Sequence, residues 1–271
     1  MPPRRRTRAP LASAVAAALL TLAACTPSPP ASSGPPTATP GATTPGPTAP
    51  APDSPVRVEV ASRGVTLEVS VPGATPDAPR VHVSSDGGST ATVALEPADD
   101  AGPPTITLTS DGSLEPHPDG SVTVRAAGVA VGGLSAPRGA RLLAVDGTHL
   151  EVRTSSGGTA DGTDGTESND EVVTTTLGTA AVESTDWGER EGGRSLAVVP
   201  TAWTRAAGQA GVDVVWAELV ATDPEVDTPT MRDQLECHAL GARDKDSWNL
   251  EPWRPDVGLV ATMAARCNPT S

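Results

Sequence analysis

The sequence predicts a mainly β N-terminal domain, antiparallel and either a sandwich or a meander, followed by a small disulfide-bonded α+β C-terminal module. Three observations lead there. Apolar residues recur with period two from Val56 to about Thr154. Asp-Gly pairs punctuate that stretch. All five tryptophans lie at or beyond Trp187, and two of the three cysteines lie beyond it as well. Large anchors and a covalent staple therefore belong to the C-terminal part. Phe and Tyr are absent, which leaves the upstream core to Val, Leu and Ala.

The chain opens on Arg4, Arg5, Arg6 and Arg8, runs apolar from Leu11 to Leu20, and reaches Leu22-Ala23-Ala24-Cys25. This order is that of a bacterial secretion signal closed by a lipobox. The apolar run is too short to stay in a bilayer as a spanning helix. Residues 1–24 are expected to be a cleaved lipoprotein signal peptide. Cys25 becomes the first mature residue, carrying lipid such as palmitate. The expected location is the extracytoplasmic face of the cell membrane, with the membrane itself a partner through the lipid on Cys25.

Residues 25–54 hold ten prolines among Thr, Ser, Ala and Gly, with one charge at Asp53. Such a segment buries too little apolar surface to order itself. It reads as a disordered tether, reaching on the order of 30 Å as a coil and up to roughly 90 Å in polyproline geometry. The net charge of -14 becomes -18 once the four arginines of residues 1–24 are removed. An acidic body repels phosphate backbones, so nucleic acid is excluded as a broad-surface partner.

The β-rich domain is expected over 55–153. Val56, Val58 and Val60 alternate with Arg57 and Glu59, and Val65, Leu67, Val69 and Val71 with Thr66, Glu68 and Ser70. Further strands are predicted at 80–84, 90–96, 105–109, 121–126, 141–145 and 149–154. Asp86-Gly87, Asp111-Gly112, Asp119-Gly120 and Asp146-Gly147 supply the positive φ angles of tight hairpins. Residues 154–171 form a flexible acidic loop. Its Asp161, Asp164, Asp170 and Glu171 lack the spacing and closing glutamate of a calcium loop.

The α+β module is expected over 172–271. A strand at 171–176 leads into it and another covers 195–199, stopped by Pro200. Val212, Val215, Trp216, Leu219 and Val220 keep helical spacing. A second helix starts at Thr228 as N-cap with Pro229 in the first turn and ends at Gly241. Residues 242–255, with Pro252 and Pro255, read as a long ordered loop. Asp256 is placed to cap a last short helix. Cys237 and Cys267 are the only thiols left after lipidation, in an oxidising compartment, so a bridge between them is expected.

On the second helix Gln234 and His238 share a face one turn apart, with Asp233 and Cys237 on the adjacent strip. A bridge to Cys267 draws the 254–256 loop toward them. Histidine near carboxylates suits general-base chemistry. His238, Asp233 and Asp256 are therefore the catalytic candidates, and Gln234, Trp248, Asn249, Trp253 and Arg254 the binding candidates. The opposing reading has Asp233, Gln234, Arg254 and Asp256 hydrogen-bonding the loop backbone, and both tryptophans in the core. No His or Cys pair has metal-ligand spacing, so no metal and no cofactor is expected.

One further feature covers the C-terminal third. Trp187-Gly188, Gly192-Gly193-Arg194-Ser195-Leu196, Pro200-Thr201, Trp203, Arg232-Asp233-Gln234, Cys237-His238, the run 247–258 (SWNLEPWRPDVG) and Ala265-Arg266-Cys267-Asn268-Pro269 follow one another in order. This series resembles an actinobacterial-type family of exported lipoproteins known only by a C-terminal domain of unknown function. Residues 128–153 bear a weaker likeness to a β segment upstream in some relatives. The resemblance implies a shared fold and no activity, cofactor or catalytic residue. Together these features lead to the expectation of a membrane-anchored envelope lipoprotein that works as a non-enzymatic binding or structural module, its partner a cell-wall polymer or an exported protein. The alternative is an envelope-polymer hydrolase using His238 with Asp233 or Asp256.

Overall fold

The computed structural model describes residues 55–75, 80–96, 101–154 and 172–270. The expected signal peptide, Cys25, the tether and all but Thr154 of the acidic loop lie outside them.

Period-two patterning produces the strands it predicts. β1 (Val56–Ser62) and β2 (Val65–Val71) pair antiparallel with Val60 opposite Leu67. Along β2 the apolar residues Val65, Leu67, Val69 and Val71 are buried, while Thr66, Glu68 and Ser70 are not. β3 (Val81–Ser85), β4 (Thr90–Leu95), β5 (Thr105–Leu108), β7 (Val122–Ala126), β9 (Ala140–Ala144) and β10 (His149–Thr154) follow within a residue or two of expectation. Within the sandwich two strands were not foreseen: β6 (Ser113–Pro116) and β8 (Val129–Leu134). With β11 (Val173–Gly178), the strands form a five-stranded sheet, β1-β2-β5-β10-β9, and a six-stranded sheet, β3-β4-β11-β8-β7-β6. Leu67, Ile106 and Leu150 of the first and Val93, Leu134 and Leu177 of the second share one buried cluster. The arrangement is a sandwich rather than a meander.

Three of the four Asp-Gly pairs sit in hairpins, β3–β4, β6–β7 and β9–β10. Asp111-Gly112 instead carries the chain from β5 in one sheet to β6 in the other. Gly112 has φ 145° there, and a Cβ would lie 2.2 Å from the Arg125 carbonyl oxygen. Only glycine passes that crossing.

The strand expected to lead into the C-terminal module does not belong to it. β11 (Val173–Gly178) inserts between β4 and β8 in the six-stranded sheet, with Thr175 opposite Val93 and Leu177 opposite Leu134. β4 would otherwise present an open edge beside a buried core, which the distant segment covers.

Beyond it, β12 (Val182–Arg190), β13 (Gly193–Pro200) and the short β14 (Trp248–Leu250) form a third antiparallel sheet. β14 lies in the stretch expected to be loop. The helices are α1 (Ala202–Ala206), α2 (Gln209–Thr222), α3 (Pro229–Gly241) and α4 (Leu259–Ala264), with a 3-10 turn at Pro224–Val226. α2, α3 and the short last helix α4 were predicted, and α3 begins as expected: the Thr228 hydroxyl accepts from Met231 N at 3.3 Å. α4 is capped by Gly258 rather than Asp256. No described helix is long and apolar enough to cross a membrane.

α2 joins the two halves. It packs on β7 and β8, and a Cβ at Gly133 would lie 2.8 Å from the Ala210 Cβ, so glycine in β8 lets the helix approach. Its first N–H groups are capped from the sandwich. Gln209 N donates to Asp119 Oδ2 at 2.7 Å and Ala210 N to Ser121 Oγ at 3.1 Å. Trp203 of α1 lies against Gly178 of β11, its indole N–H bonded to the Thr176 carbonyl at 3.2 Å.

Candidate functional site

α3 turns its buried face toward β14 and the segment after it. Gln234 is wholly buried. Its Oε1 accepts from Glu251 N at 3.0 Å, and its Nε2 donates to Glu251 O at 3.0 Å and Thr230 O at 3.1 Å. One side chain thus pairs both backbone groups of Glu251, as a neighbouring strand would. Gln234, expected as a binding residue, is a clasp with no atom left for a ligand.

His238 lies one turn on, 3% exposed. Its Nε2 lies 3.0 Å from the Asn249 carbonyl oxygen, which accepts only, so Nε2 carries the proton and the ring is the Nε2–H tautomer. Nδ1 is buried with no protein partner among the described residues. Burial depresses the pKa from its ordinary 6.5 to about 4, aided by the Lys245 charge and opposed by the Asn249 hydrogen bond. Among the described residues no carboxylate bonds the ring. The expected pairing with Asp233 or Asp256 is corrected: five residues along a helix is about 140° around its axis, so Asp233 and His238 face different ways. Asp256 is exposed on the loop. Burial, then the charges of Asp256 and Glu236, raise the Asp233 carboxyl.

The binding candidates divide as well. Trp248 is fully buried in the core with Leu196, Val198, Leu235 and Leu250. Asn249 pairs opposite Ala197 and holds His238 through its backbone. Arg254 has a fully buried side chain. It donates to Glu251 through Nε, to the Pro269 carbonyl at 3.2 Å and to Glu191 Oε2 at 2.7 Å. It therefore ties the β12–β13 turn, the loop and the C-terminal end together. The Cys237–Cys267 bridge forms as expected, with Cα atoms 5.5 Å apart. Trp253 alone faces outward, 43% exposed. Its ring lies flat against Gly193, where a Cβ would sit 2.2 Å from Cδ1, with the Arg254 guanidinium 4.6 Å from its centroid. It is a rigidly held, half-exposed aromatic.

A second polar cluster was missed. Asp213 on α2 is 8% exposed and accepts from Thr123 Oγ1, Arg125 Nη2, Gln209 Nε2 and Arg232 Nη2 at 3.0–3.2 Å. Burial pushes its carboxyl up, but these bonds and the Arg232 charge outweigh it and hold the pKa below the ordinary value. Arg232 also pairs Glu236 at 2.7 Å. The signal was present: Asp213 is a charge inside the apolar run Val212 to Val215. Two cavities of about 470 Å³ lie nearby, one lined by Asp213 and Arg232 themselves and one by their partners Gln209 and Glu236. The first is also bounded by Val129, Trp216 and Asp227, the second by Ala206, Val212, Ala239 and Arg243. Among the described residues no group of three or more His, Cys, Asp and Glu could hold a metal ion.

Residues 182–270 match the family described as a protein of unknown function, DUF2599. The uncharacterized protein Rv0477 of Mycobacterium tuberculosis is 43% identical over 98 residues, 33% of this chain and 66% of that protein. Mb0487 of Mycobacterium bovis matches to the same extent. ML2452 of Mycobacterium leprae is 37% identical over 81 residues, 28% of this chain and 60% of that protein. The chain thus spans less than two thirds of these relatives' lengths. All are uncharacterized, so similarity brings no activity with it. No solved structure matches. The matched segment begins at β12 and contains Gln234, His238, Glu251, Arg254 and both bridged cysteines. The matched segment is the one that carries the clasp in this chain.

Proposed function

We propose that this chain is a lipoprotein anchored through Cys25 to the extracytoplasmic face of the cell membrane, and that its C-terminal module is a non-enzymatic binder of an envelope partner. The observation that carries the binding reading is Trp253. Gln234, His238, Glu251 and Arg254 are taken up by internal bonds, while Trp253 stands half-exposed on a fixed backing. A rigid aromatic stacks on sugar rings or grips peptides at low entropic cost. The anchoring reading rests on the order of residues 1–25.

Two experiments test it. The full chain expressed in a lipoprotein-processing bacterium should partition into the detergent phase, and Cys25→Ser should move it to the aqueous phase. Purified insoluble cell wall should sediment the Cys25→Ser chain, and Trp253→Ala should release it into the supernatant with unchanged unfolding. Sedimentation that is absent with wall, or indifferent to Trp253, overturns the polymer arm. Crosslinking from position 253 to one defined exported protein would then support the protein arm. If the wall does not retain the chain and no exported protein crosslinks at position 253, the binding reading falls.

A further inference from the structure

The cavity lined by Gln209 and Glu236 has a composition that points to a ligand class. Its wall is apolar: Ala206 of α1, Val212 of α2 and Ala239 of α3, with Leu240 at the mouth, 62% exposed. Its volume of about 470 Å³ lies within the ~300–1,000 Å³ usual for small-molecule sites.

Four charged side chains border it, and three are already engaged. Asp119 accepts from Gln209 N, Ser121 N and Ser121 Oγ. Glu236 is paired with Arg232. The Arg205 guanidinium donates to the backbone carbonyls of Arg243, Lys245 and Asp246. Arg243 is exposed, and its guanidinium has no hydrogen-bond or ion-pair partner among the described residues. It is an open cation at the edge of an apolar hollow, on a chain of net charge -14.

We infer that this cavity binds a small amphiphilic anion: an apolar body against Ala206, Val212 and Ala239, and one carboxylate or phosphate on Arg243. A carboxylate suits Arg243 because the guanidinium forms paired, charge-assisted bonds with it. The site includes sandwich residues such as Asp119 and so lies partly outside the segment that matches the family. It stands apart from the Trp253 reading, and either can fail alone.

The test is calorimetric titration of the full-length Cys25→Ser chain with decanoate below its micellar concentration, beside decanol and decyltrimethylammonium. Decanoate should bind at least about tenfold more tightly than the cation, since only the anion gains the charge-assisted bonds to Arg243. Arg243→Gln should remove that preference and leave decanol unchanged. Ala206→Trp, at an exposed position on α1, should abolish binding of all three, with the fold checked by circular dichroism. The inference is overturned if decanoate does not bind at 1 mM (a concentration roughly equal to the weakest Kd of interest), or if Arg243→Gln leaves the preference intact. Binding that survives Ala206→Trp also overturns it, because uptake elsewhere, as on the apolar run from Leu11 to Leu20, would do just that.

Discussion

Gln234 and Glu251 exchange two 3.0 Å hydrogen bonds, one from the Glu251 amide to the Gln234 side-chain oxygen and one from the Gln234 side-chain nitrogen to the Glu251 carbonyl. A side chain on α3 therefore continues the pairing that β14 begins. The chain leaves β14 at Leu250 and needs a partner for the next residue, in a place where water is excluded. Replacing Gln234 by Met keeps its size and removes both partners. Urea unfolding should show a loss of about 2–4 kcal/mol, because each buried backbone group left unpaired costs about 1–3 kcal/mol.

His238 makes stability fall with acid. Its folded-state pKa is about 4, against 6.5 ordinarily. Above 6.5 both folded and unfolded rings are neutral, and the shift has no effect. Between 6.5 and about 4 the unfolded chain takes up the proton first, so stability drops, by roughly 3 kcal/mol in full. In His238→Gln that part of the slope should vanish. An unchanged slope between pH 7 and pH 4.5 would show that the ring is solvated.

The Cys237–Cys267 bridge spans a sequence separation of 30. Loop-closure entropy assigns it about 3–4 kcal/mol. The double variant Cys237→Ser, Cys267→Ser should lose about that in guanidinium unfolding, and the unreduced native chain should show neither thiol to a thiol reagent.

Gly178 is one contact point between sandwich and module. A Cβ there would come within 2.1 Å of Trp203 Cδ2. Gly178→Ala should displace the indole and cost about 1–3 kcal/mol, with the near-ultraviolet circular dichroism of the tryptophans altered. Trp203 is 6% exposed in the native chain, so a more solvated tryptophan would follow.

Much of the sandwich was legible because its strands are buried on one face, which writes period two into Val65 to Val71 and its counterparts. β8 was hidden by Gly132 and Gly133, whose presence answers to α2 and to β11 rather than to strand propensity. β12 was hidden because nearly all its residues are exposed, so no alternation exists to read. The partner of β11 could not be read at all: Val173 pairs with Leu95, far back in the chain, and local pattern is silent on distant pairing. In the site, helical phase placed Gln234 and His238 on one face. Phase does not say what that face meets, and it meets β14 instead of solvent. The bridge was legible by counting thiols, whereas the Asp213 cluster needs residues from β7, α2 and α3 brought together by the fold.

The polar residues of the matched segment build a scaffold, with His238 sealed inside it. The most direct test of this is a nitrogen-15 NMR titration of the imidazole in the full-length Cys25→Ser chain. The scaffold account expects one neutral tautomer, protonated at Nε2, from pH 8 down to about pH 5, with titration setting in only near 4. A ring that titrates near 6.5, or that shifts when Asp233 or Asp256 is neutralised, would contradict it and return His238 to the list of candidate bases.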